Sequence, residues 1–341
     1  MNAIKKNSPL MFLFAAAGIL VLAVLAWQWA SKRATHAESL TPVTIGIQDN
    51  IFSALVLIAK DKDYFADSGL DVSLKKYPTG KIALDELFQR NVQIATASGP
   101  AIVAASFERR DFAIFCTIGY SDRAFTIVAR KDHGIHKPSD LRGKKIATLQ
   151  YSSSHFFLDY FLRSHGVKTS QVKHIFADPD AMVQDLVDGT VDAISMRSPY
   201  ANRAAAQLGN LAITFRDPSI YRHYFNLIAL KSYIKTRRDV PERIISALQE
   251  AEKLVMTDKS SAIATVIAEL GADRADEIRS DWPNYHLRLS LSQSLLVNLD
   301  SEVQWYRDQR PDLTGTNPNY LDYIYLEAMQ DAAPSALTIL R

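Results

Sequence analysis

The stretch DLRGKKIATLQYSSSHFFLDYFLRSHG, residues 140–166, decides the fold class. A turn leads into the short apolar run 145–149, four hydroxyl side chains follow, and an amphipathic helical pattern then begins. This order predicts a strand that passes into a helix through a turn rich in hydrogen-bond donors. Such a turn has two interpretations, which are a serine that caps the helix and a pocket for an anion at the helix amino terminus.

The first 37 residues are expected to lie outside the globular fold. The uncharged run 10–27 has 18 residues, which exceeds a usual secretory core of about 7–15 and reaches the threshold for a spanning helix. Two lysines precede this run, and two tryptophans follow where the membrane surface would lie. We expect residues 1–37 to form an inner-membrane anchor, with cleavage after Ala37 as the alternative. In either case the rest of the chain is exported to the periplasm.

Composition and charge narrow the function classes. The chain has 341 residues and is 48% hydrophobic, which suffices for a large core in more than one lobe. Residues 1–37 hold four of the 39 basic residues and no acidic one, so the remainder has 35 basic and 37 acidic residues and a net charge of −2. This balance gives no electrostatic reason to bind nucleic acid. The one cysteine, Cys116, excludes an internal disulfide and a cysteine-based metal cluster, and we expect no metal or cofactor.

Strand and helix patterns alternate through most of the exported part. The expected strands are 43–47, 70–77, 92–97, 112–120, 124–131, 144–149, 173–177, 191–196 and 211–215, and a further strand, 226–233, returns to the first unit. The expected helices are 51–65, 82–88, one from residue 100, 154–164, 182–187, 201–208, 240–256, 261–270 and 292–308. This alternation predicts an α/β fold with helices on both faces of each sheet. We expect lobe 1 to comprise residues 41–131 and 226–341, and lobe 2 to be an insertion of residues 132–225.

Two such units leave a cleft between them, and ligands in α/β sheets bind beyond the carboxyl ends of the strands. The strand ends give the candidate ligand-binding residues Asp49, Asn50, Ser53, Ser98, Gly99, Tyr120, Ser121, Tyr151, Ser152, Ser153, Ser154, His155, Arg197 and Tyr200. Hydroxyls at a helix start and an arginine fork suit a carboxylate, sulfonate or phosphate, and tyrosines can wall an organic ligand. Each of these residue types also has a purely structural interpretation. The serines could cap a helix, the arginine could form a surface ion pair, and the tyrosines could pack in the core.

Catalysis has little support in the sequence. Ser154 and His155 are neighbours, and neighbours on a helix do not face each other. The Gly-x-Ser-x-Gly, His-Glu-x-x-His and phosphate-loop patterns are absent from the sequence. The expectation is a protein that is not an enzyme.

Several stretches carry a family resemblance. DLRGKKIATLQYSSSHFFLDYFLRSHGV and DPDAMVQDLVDGTVDAIS resemble the second lobe of periplasmic solute-binding proteins of the nitrate, sulfonate, taurine and thiamine-precursor type. DWPNYHLRLSLSQSLLVNLDSEVQWYRD and NYLDYIYLEAMQDAAPSALTIL are similar to the C-terminal helices of that family. The resemblance covers residues 41–341. It implies a type II periplasmic-binding-protein fold, in which two lobes joined by two crossing strands close on a small solute and deliver it to an ABC-type permease.

The resemblance also implies where the solute is held. It assigns solute contacts to the hydroxyls of 152–154, to the small-residue turn 98–99 and to the turn 49–53. Many relatives have a tryptophan-containing turn after the VDA strand, whereas this chain has MRSPYAN. That departure leaves the solute unassigned among the substrates of the family.

These observations predict an exported, membrane-tethered solute-binding protein with a monomeric binding domain and a small organic anion or heterocycle as its ligand. One alternative is a ligand-sensing subunit of a membrane signalling protein, since a tethered binding domain serves either partner. Another is an enzyme like the pyrimidine-making relatives. Those relatives carry a cysteine-rich motif, and the single cysteine argues against that role.

Overall fold

A computed structural model describes residues 40–340 of the chain. The expected anchor or signal segment, residues 1–37, lies outside the described residues. Between residues 40 and 340, no helix is both long and apolar enough to cross a membrane.

Strands and helices alternate along the chain in the order that the sequence predicts. The strands are β1 (Thr41–Gln48), β2 (Leu70–Tyr77), β3 (Ile94–Ser98), β4 (Phe112–Ser121), β5 (Phe125–Arg130), β6 (Lys145–Thr148), β7 (Lys173–Phe176), β8 (Ala193–Arg197), β9 (Ala212–Phe215), β10 (His223–Leu230), β11 (Leu291–Ser292) and β12 (Leu337–Thr338). The helices are α1 (Ala54–Asp61), α2 (Tyr64–Asp67), α3 (Gly80–Phe88), α4 (Gly99–Glu108), α5 (Ser153–Ser164), α6 (Pro179–Asp188), α7 (Tyr200–Leu208), α8 (Lys231–Thr236), α9 (Asp239–Thr257), α10 (Lys259–Leu270), α11 (Ala275–Asp281), α12 (Gln293–Gln309) and α13 (Glu327–Ala332).

The strands form two five-stranded sheets within the described part of the chain. The first sheet has the order β2-β1-β3-β10-β4, and the second has the order β7-β6-β8-β5-β9. β10 runs antiparallel to β3 and β4, and β5 runs antiparallel to β8 and β9, while the other long strand pairs are parallel. Every residue of β10 is buried, as expected for a central strand that helices cover on both faces.

Two chain segments cross between the sheets. Residues 122–124 join β4 to β5, and residues 216–222 join β9 to β10. The helix α12 makes a third link, because it packs along α4 beside the first sheet while its Trp305 donates a hydrogen bond of 2.8 Å to Asp159 on α5 of the second.

Three local features differ from the sequence expectations. The helix expected over 51–65 is divided into a 3-10 turn (Ile51–Ser53), α1 and α2, with Asp63 between the helices at φ +60°. That left-handed conformation cannot continue a right-handed helix. The strand expected over 226–233 ends at Leu230, where α8 begins.

The third difference concerns the lobe boundary. The expected boundary at residue 131 assigns β5 to lobe 1, whereas β5 pairs with β8 and β9 of the second sheet. Its hydrophobic run is compatible with either sheet, and only its pairing partners decide between them. The remaining lobe boundaries stay a prediction.

Candidate functional site

The candidate site lies between the two sheets, and we call it the interlobe junction. The first sheet contributes the carboxyl ends of β1 and β3, the amino end of β10 and the amino end of α4. The second sheet contributes the carboxyl end of β8, the amino end of β5 and the amino end of α5. Parallel strands present their carboxyl ends at one edge of a sheet, and ligands of α/β proteins bind there. Two surface depressions outside the junction are lined by Leu230 with Ser232 and by Lys231 with Ile234, at the opposite end of β10.

Aromatic rings fill the middle of the interlobe junction. The His223 ring at the start of β10 stacks on Phe125 at the start of β5, with centroids 5.2 Å apart and planes 7° from parallel. His223 also contacts Phe52, with centroids 5.0 Å apart, and Phe52 meets Tyr285 edge-on at 4.7 Å. Tyr221 stacks on Phe125 at 5.8 Å. The structure is therefore a closed arrangement in which the two sheets touch through aromatic side chains.

Buried polar atoms without hydrogen-bond partners lie among these rings. Within residues 40–340, both ring nitrogens of His223 and the Nδ2 of Asn50 have no partner, although both residues are at most 5% exposed. Asn50 uses only its Oδ1, which accepts a 3.0 Å hydrogen bond from the Phe52 amide. Buried polar groups without partners are rare in folded proteins and mark places where another molecule can supply the bond.

Arg197, the last residue of β8, adds positive charge to this group. Burial, together with the smaller effect of the nearby Arg197 guanidinium, lowers the pKa of His223 to about 3. His223 is thus neutral at physiological pH, with one ring nitrogen as donor and the other as acceptor. The Arg197 side chain donates a long hydrogen bond, of 3.4 Å, to the Ser198 carbonyl.

A second polar group joins the amino termini of α4 and α5. The hydroxyl oxygens of Ser98 and Ser153 lie 3.4 Å apart, and Ser153 also lies near the Tyr221 hydroxyl. Tyr221 in turn donates a 2.8 Å hydrogen bond to Oε1 of Glu302 on α12. The Glu302 carboxyl lies against Gly99, the first residue of α4, so closely that a Cβ atom at position 99 would collide with Oε2.

The other two serines of the cluster, Ser152 and Ser154, bond within the second lobe. The Ser152 hydroxyl accepts from the His155 amide at 3.4 Å and donates to the Leu149 carbonyl at 2.6 Å. The Ser154 hydroxyl lies 2.8 Å from that of Ser152. Capping accounts for Ser152, and Ser154 hydrogen-bonds to that cap, whereas Ser153 lies beside Ser98 at the end of β3 in the first sheet.

The remaining predicted site residues have partners of their own outside the aromatic centre of the junction. Asp49 is exposed and pairs with Arg274 at 3.6 Å, and the hydroxyls of Ser53 and Ser121 donate to backbone carbonyls at 2.6 Å. The other three form ring contacts, with Tyr120 stacked on His286, Tyr151 packed edge-on against Tyr306 and Tyr200 beneath Arg203.

His155 belongs to a buried cluster that could hold a metal ion. His155, Asp159 and His174 present ligand atoms that all lie within 4.8 Å of one another. Hydrogen bonds already engage both Asp159 oxygens, from His174 at 2.9 Å and from Trp305 at 2.8 Å. Burial lowers the pKa of His155 to about 4. The cluster is a hydrogen-bonded link between α5 and α12.

The strand-end prediction did not include six residues of the junction, which are Phe52, Phe125, Tyr221, His223, Tyr285 and Glu302. His223 begins a strand that the sequence pattern starts three residues later, so it was not counted among the strand-end side chains. Glu302 lies on a polar position of a helical pattern, where a glutamate is normally exposed. The Gly99 turn was the available signal, because a glycine at a helix start permits the close approach of another group.

The comparisons with known proteins agree with this architecture. The chain is 27% identical over 160 residues to the taurine-binding periplasmic protein of Escherichia coli (strain K12), a match that covers 47% of this chain and 49% of that protein. It is 25% identical over 249 residues to a putative aliphatic sulfonates-binding protein of Bacillus subtilis (strain 168), covering 71% of this chain and 72% of the relative.

A solved structure shows the same fold. The periplasmic aliphatic sulphonate binding protein SsuA from Escherichia coli superposes with a TM-score of 0.73 at 19% sequence identity, covering 84% of this chain and 92% of that one. This chain therefore has the mixed α/β fold of periplasmic binding proteins. The family model described as NMT1/THI5 like matches residues 50–262, more than half of the chain. The chain belongs to the NMT1/THI5-like family.

Proposed function

We propose that this chain is an exported solute-binding protein that captures a small organic anion in the interlobe junction and presents it to an ABC-type permease. The observation that carries the proposal is the group of buried donors without partners, Asn50 Nδ2 and the His223 ring, beside the positive charge of Arg197. A buried donor left without a partner costs about 1–3 kcal/mol. A solute that supplies the missing acceptors recovers that free energy.

The chemistry of these donors favours an acidic group. Arg197 offers a planar set of N–H donors that matches a carboxylate or sulfonate. Neutral His223 and the Asn50 amide add donors that require no charge of their own. The rings of Phe52, Phe125 and Tyr285 supply apolar walls for the body of the solute, as in most small-molecule sites.

Binding requires the junction to open and its rings to move apart, because they fill it in this structure. Residues 122–124 and 216–222 connect the sheets, and we assign the hinge to these crossings of the type II arrangement. A solute stabilises the closed form only if it binds that form more tightly than the open one. The donors contributed by both sheets meet only in the closed form, which provides that difference.

The named relatives support the solute class. One is named for taurine and another for aliphatic sulfonates, and both names describe organic molecules with one acidic group. They are also named as binding proteins, which favours binding over catalysis in this chain. The buried Cys116 gives no nucleophile, since burial raises the pKa of its thiol far above the usual range.

The partner and the location belong to the same proposal. An uncleaved segment 1–37 would hold the binding domain at the periplasmic face of the inner membrane. The domain would there meet a permease without diffusing through the periplasm. The mass of the mature protein tests this part, because cleavage after Ala37 would give a chain that begins at Glu38.

A thermal-shift screen of the full-length chain in detergent tests the binding function. The panel contains taurine, short alkanesulfonates, monocarboxylates of two or more carbon atoms, nitrate and sulfate. We expect at least one organic monoanion to raise the melting temperature saturably. The shift should vanish in Arg197→Ala and persist in Arg203→Ala, a matched control whose exposed arginine pairs with Asp180. A panel without any shift, or an equal shift in Arg197→Ala, would contradict the proposal.

A further inference from the structure

The buried carboxyl of Glu302 lies in the interlobe junction, at the amino terminus of α4. Glu302 projects from α12, is 0% exposed, and lies against Gly99 at the start of α4. Its Oε1 accepts from Tyr221 at 2.8 Å and from Asn298 at 2.9 Å, while its Oε2 has no hydrogen-bond partner among residues 40–340. A fully buried carboxyl with an unpartnered oxygen needs an explanation of its own.

The amino terminus of α4 suits an acidic group. The first amides of a helix lack intrahelical partners and carry a partial positive charge. Ser98 is the residue before α4, and its side chain makes no capping hydrogen bond to this helix. Ser98 thus leaves the amino terminus of α4 without a side-chain cap. The acidic group that lies beside this terminus is the Glu302 carboxyl.

The same carboxyl connects both lobes. Through Tyr221 it reaches Ser153 at the amino terminus of α5, and Ser153 lies 3.4 Å from Ser98. A solute bound between the two helix termini would have to replace these contacts. Burial raises the pKa of Glu302 to about 8, so at neutral pH the carboxyl fills the space mainly in its protonated form.

We propose that the Glu302 carboxyl takes the place of a solute's acidic group between the amino termini of α4 and α5. The carboxyl fills this space, so the acidic group of the true ligand binds at Arg197 instead. This inference rests on the proposed function and narrows its solute class. A solute with one acidic group fits the junction, whereas one with acidic groups at both ends meets Glu302.

Chemical complementation with formate tests the inference without any knowledge of the solute. Glu302→Ala removes the carboxyl and leaves a cavity beside Gly99, which lowers the melting temperature. Sodium formate should then raise the melting temperature saturably by about 2–4 °C over sodium chloride at equal ionic strength. The wild type and Asp300→Ala, a control on an exposed position of the same helix, should show no such difference.

A response of Glu302→Ala to formate no greater than its response to chloride would overturn the inference. If Glu302→Ala is recovered unfolded, refolding in the two salts gives the same decision, because recovery that depends on formate supports the inference and equal recovery in both salts overturns it. Failure here leaves the anion screen with Arg197→Ala unaffected, since that screen does not involve formate or Glu302.

Gly99 supplies an independent measurement. Gly99→Ala should destabilise the wild type because the new Cβ atom collides with the Glu302 carboxyl. In the Glu302→Ala background the same substitution should cost much less, so the two changes should be strongly non-additive. Equal cost in both backgrounds would show that the carboxyl does not occupy this position.

Discussion

The imidazole of His223 stacks on the ring of Phe125, 5.2 Å away and nearly parallel, and this contact joins the first strand residues of β10 and β5. The two residues belong to different sheets, so the stack must part when the lobes separate. A buried histidine lowers stability at this position, since neither of its ring nitrogens has a hydrogen-bond partner within the described chain. A ligand that hydrogen-bonds to the imidazole would explain why position 223 is a histidine and not a phenylalanine.

His223→Phe separates the two roles of this position. The phenyl ring should keep the stack on Phe125 and Phe52 while it removes two unsatisfied nitrogens, each worth about 1–3 kcal/mol. We therefore expect urea unfolding to show unchanged or higher stability, and calorimetry to show weaker solute binding. A variant that loses stability but binds the solute normally would assign His223 to the core alone.

Arg197→Ala should weaken the binding of an acidic solute by about 2–5 kcal/mol, because the charge of the solute would remain buried without its partner. Isothermal titration calorimetry measures this loss. Arg197→Lys should recover only part of it, since an ammonium cannot form the planar pair of hydrogen bonds. Unchanged affinity in Arg197→Ala would remove Arg197 from the site.

The serines of the 152–154 cluster should respond differently to alanine. Ser152→Ala removes a helix cap and should cost about 1 kcal/mol of unfolding free energy, with little effect on solute affinity. Ser153→Ala removes the contact with Ser98 and Tyr221 and should change affinity more than Ser152→Ala does. Denaturation and calorimetry on both variants compare these effects, and the reverse order would return Ser153 to a capping role.

Glu302 should make stability depend on pH. Its pKa is raised from 4.5 to about 8 in the folded protein by burial, so the native state holds a proton that the unfolded chain releases. The contribution of Glu302 to the unfolding free energy is then largest below about pH 4.5 and is lost as pH rises toward 8, by up to ~1.4 kcal/mol per pH unit. The buried His155 and His223 act in the opposite sense below about pH 6.5, because burial lowers the pKa of each in the folded state. The comparison with a Glu302 variant therefore isolates the Glu302 contribution. The surrounding Tyr160, Tyr221 and Tyr320 stay protonated, because burial raises the pKa of each.

Glu302→Gln keeps the shape of the side chain and should remove this dependence. Urea denaturation of the variant and the wild type across this pH range gives the comparison, with Glu250→Gln, at an exposed glutamate of α9, as the control. Two stability curves that stay parallel between about pH 4.5 and 8 would show that Glu302 ionises normally in the folded protein.

The hydrophobic pattern predicts most of the fold because the main strands and helices each carry a clear periodicity. β6, the hydroxyl turn and α5 follow directly from residues 145–164. The break at Asp63 depends on a single left-handed residue that no periodicity reveals. The placement of β5 depends on its pairing partners, which lie more than 60 residues away along the chain.

The site was harder to predict than the fold. Strand ends indicate the region, and Asn50, Ser98, Gly99, Ser153 and Arg197 do lie at the interlobe junction. The contact between Gly99 and Glu302 joins positions 203 residues apart, and the sequence gives no measure of which helix face α12 turns toward α4. Side chains such as Tyr120 and Ser121 lie at a strand end but find partners elsewhere.

The most direct test of the central claim is a crystal structure of the protein with the organic monoanion that gives the largest thermal shift. The account predicts density for that solute in the interlobe junction, with its acidic group on Arg197 and a hydrogen bond to Asn50 Nδ2 or to the His223 ring. A solute bound outside the junction, or one whose acidic group contacts none of these three side chains, would contradict it.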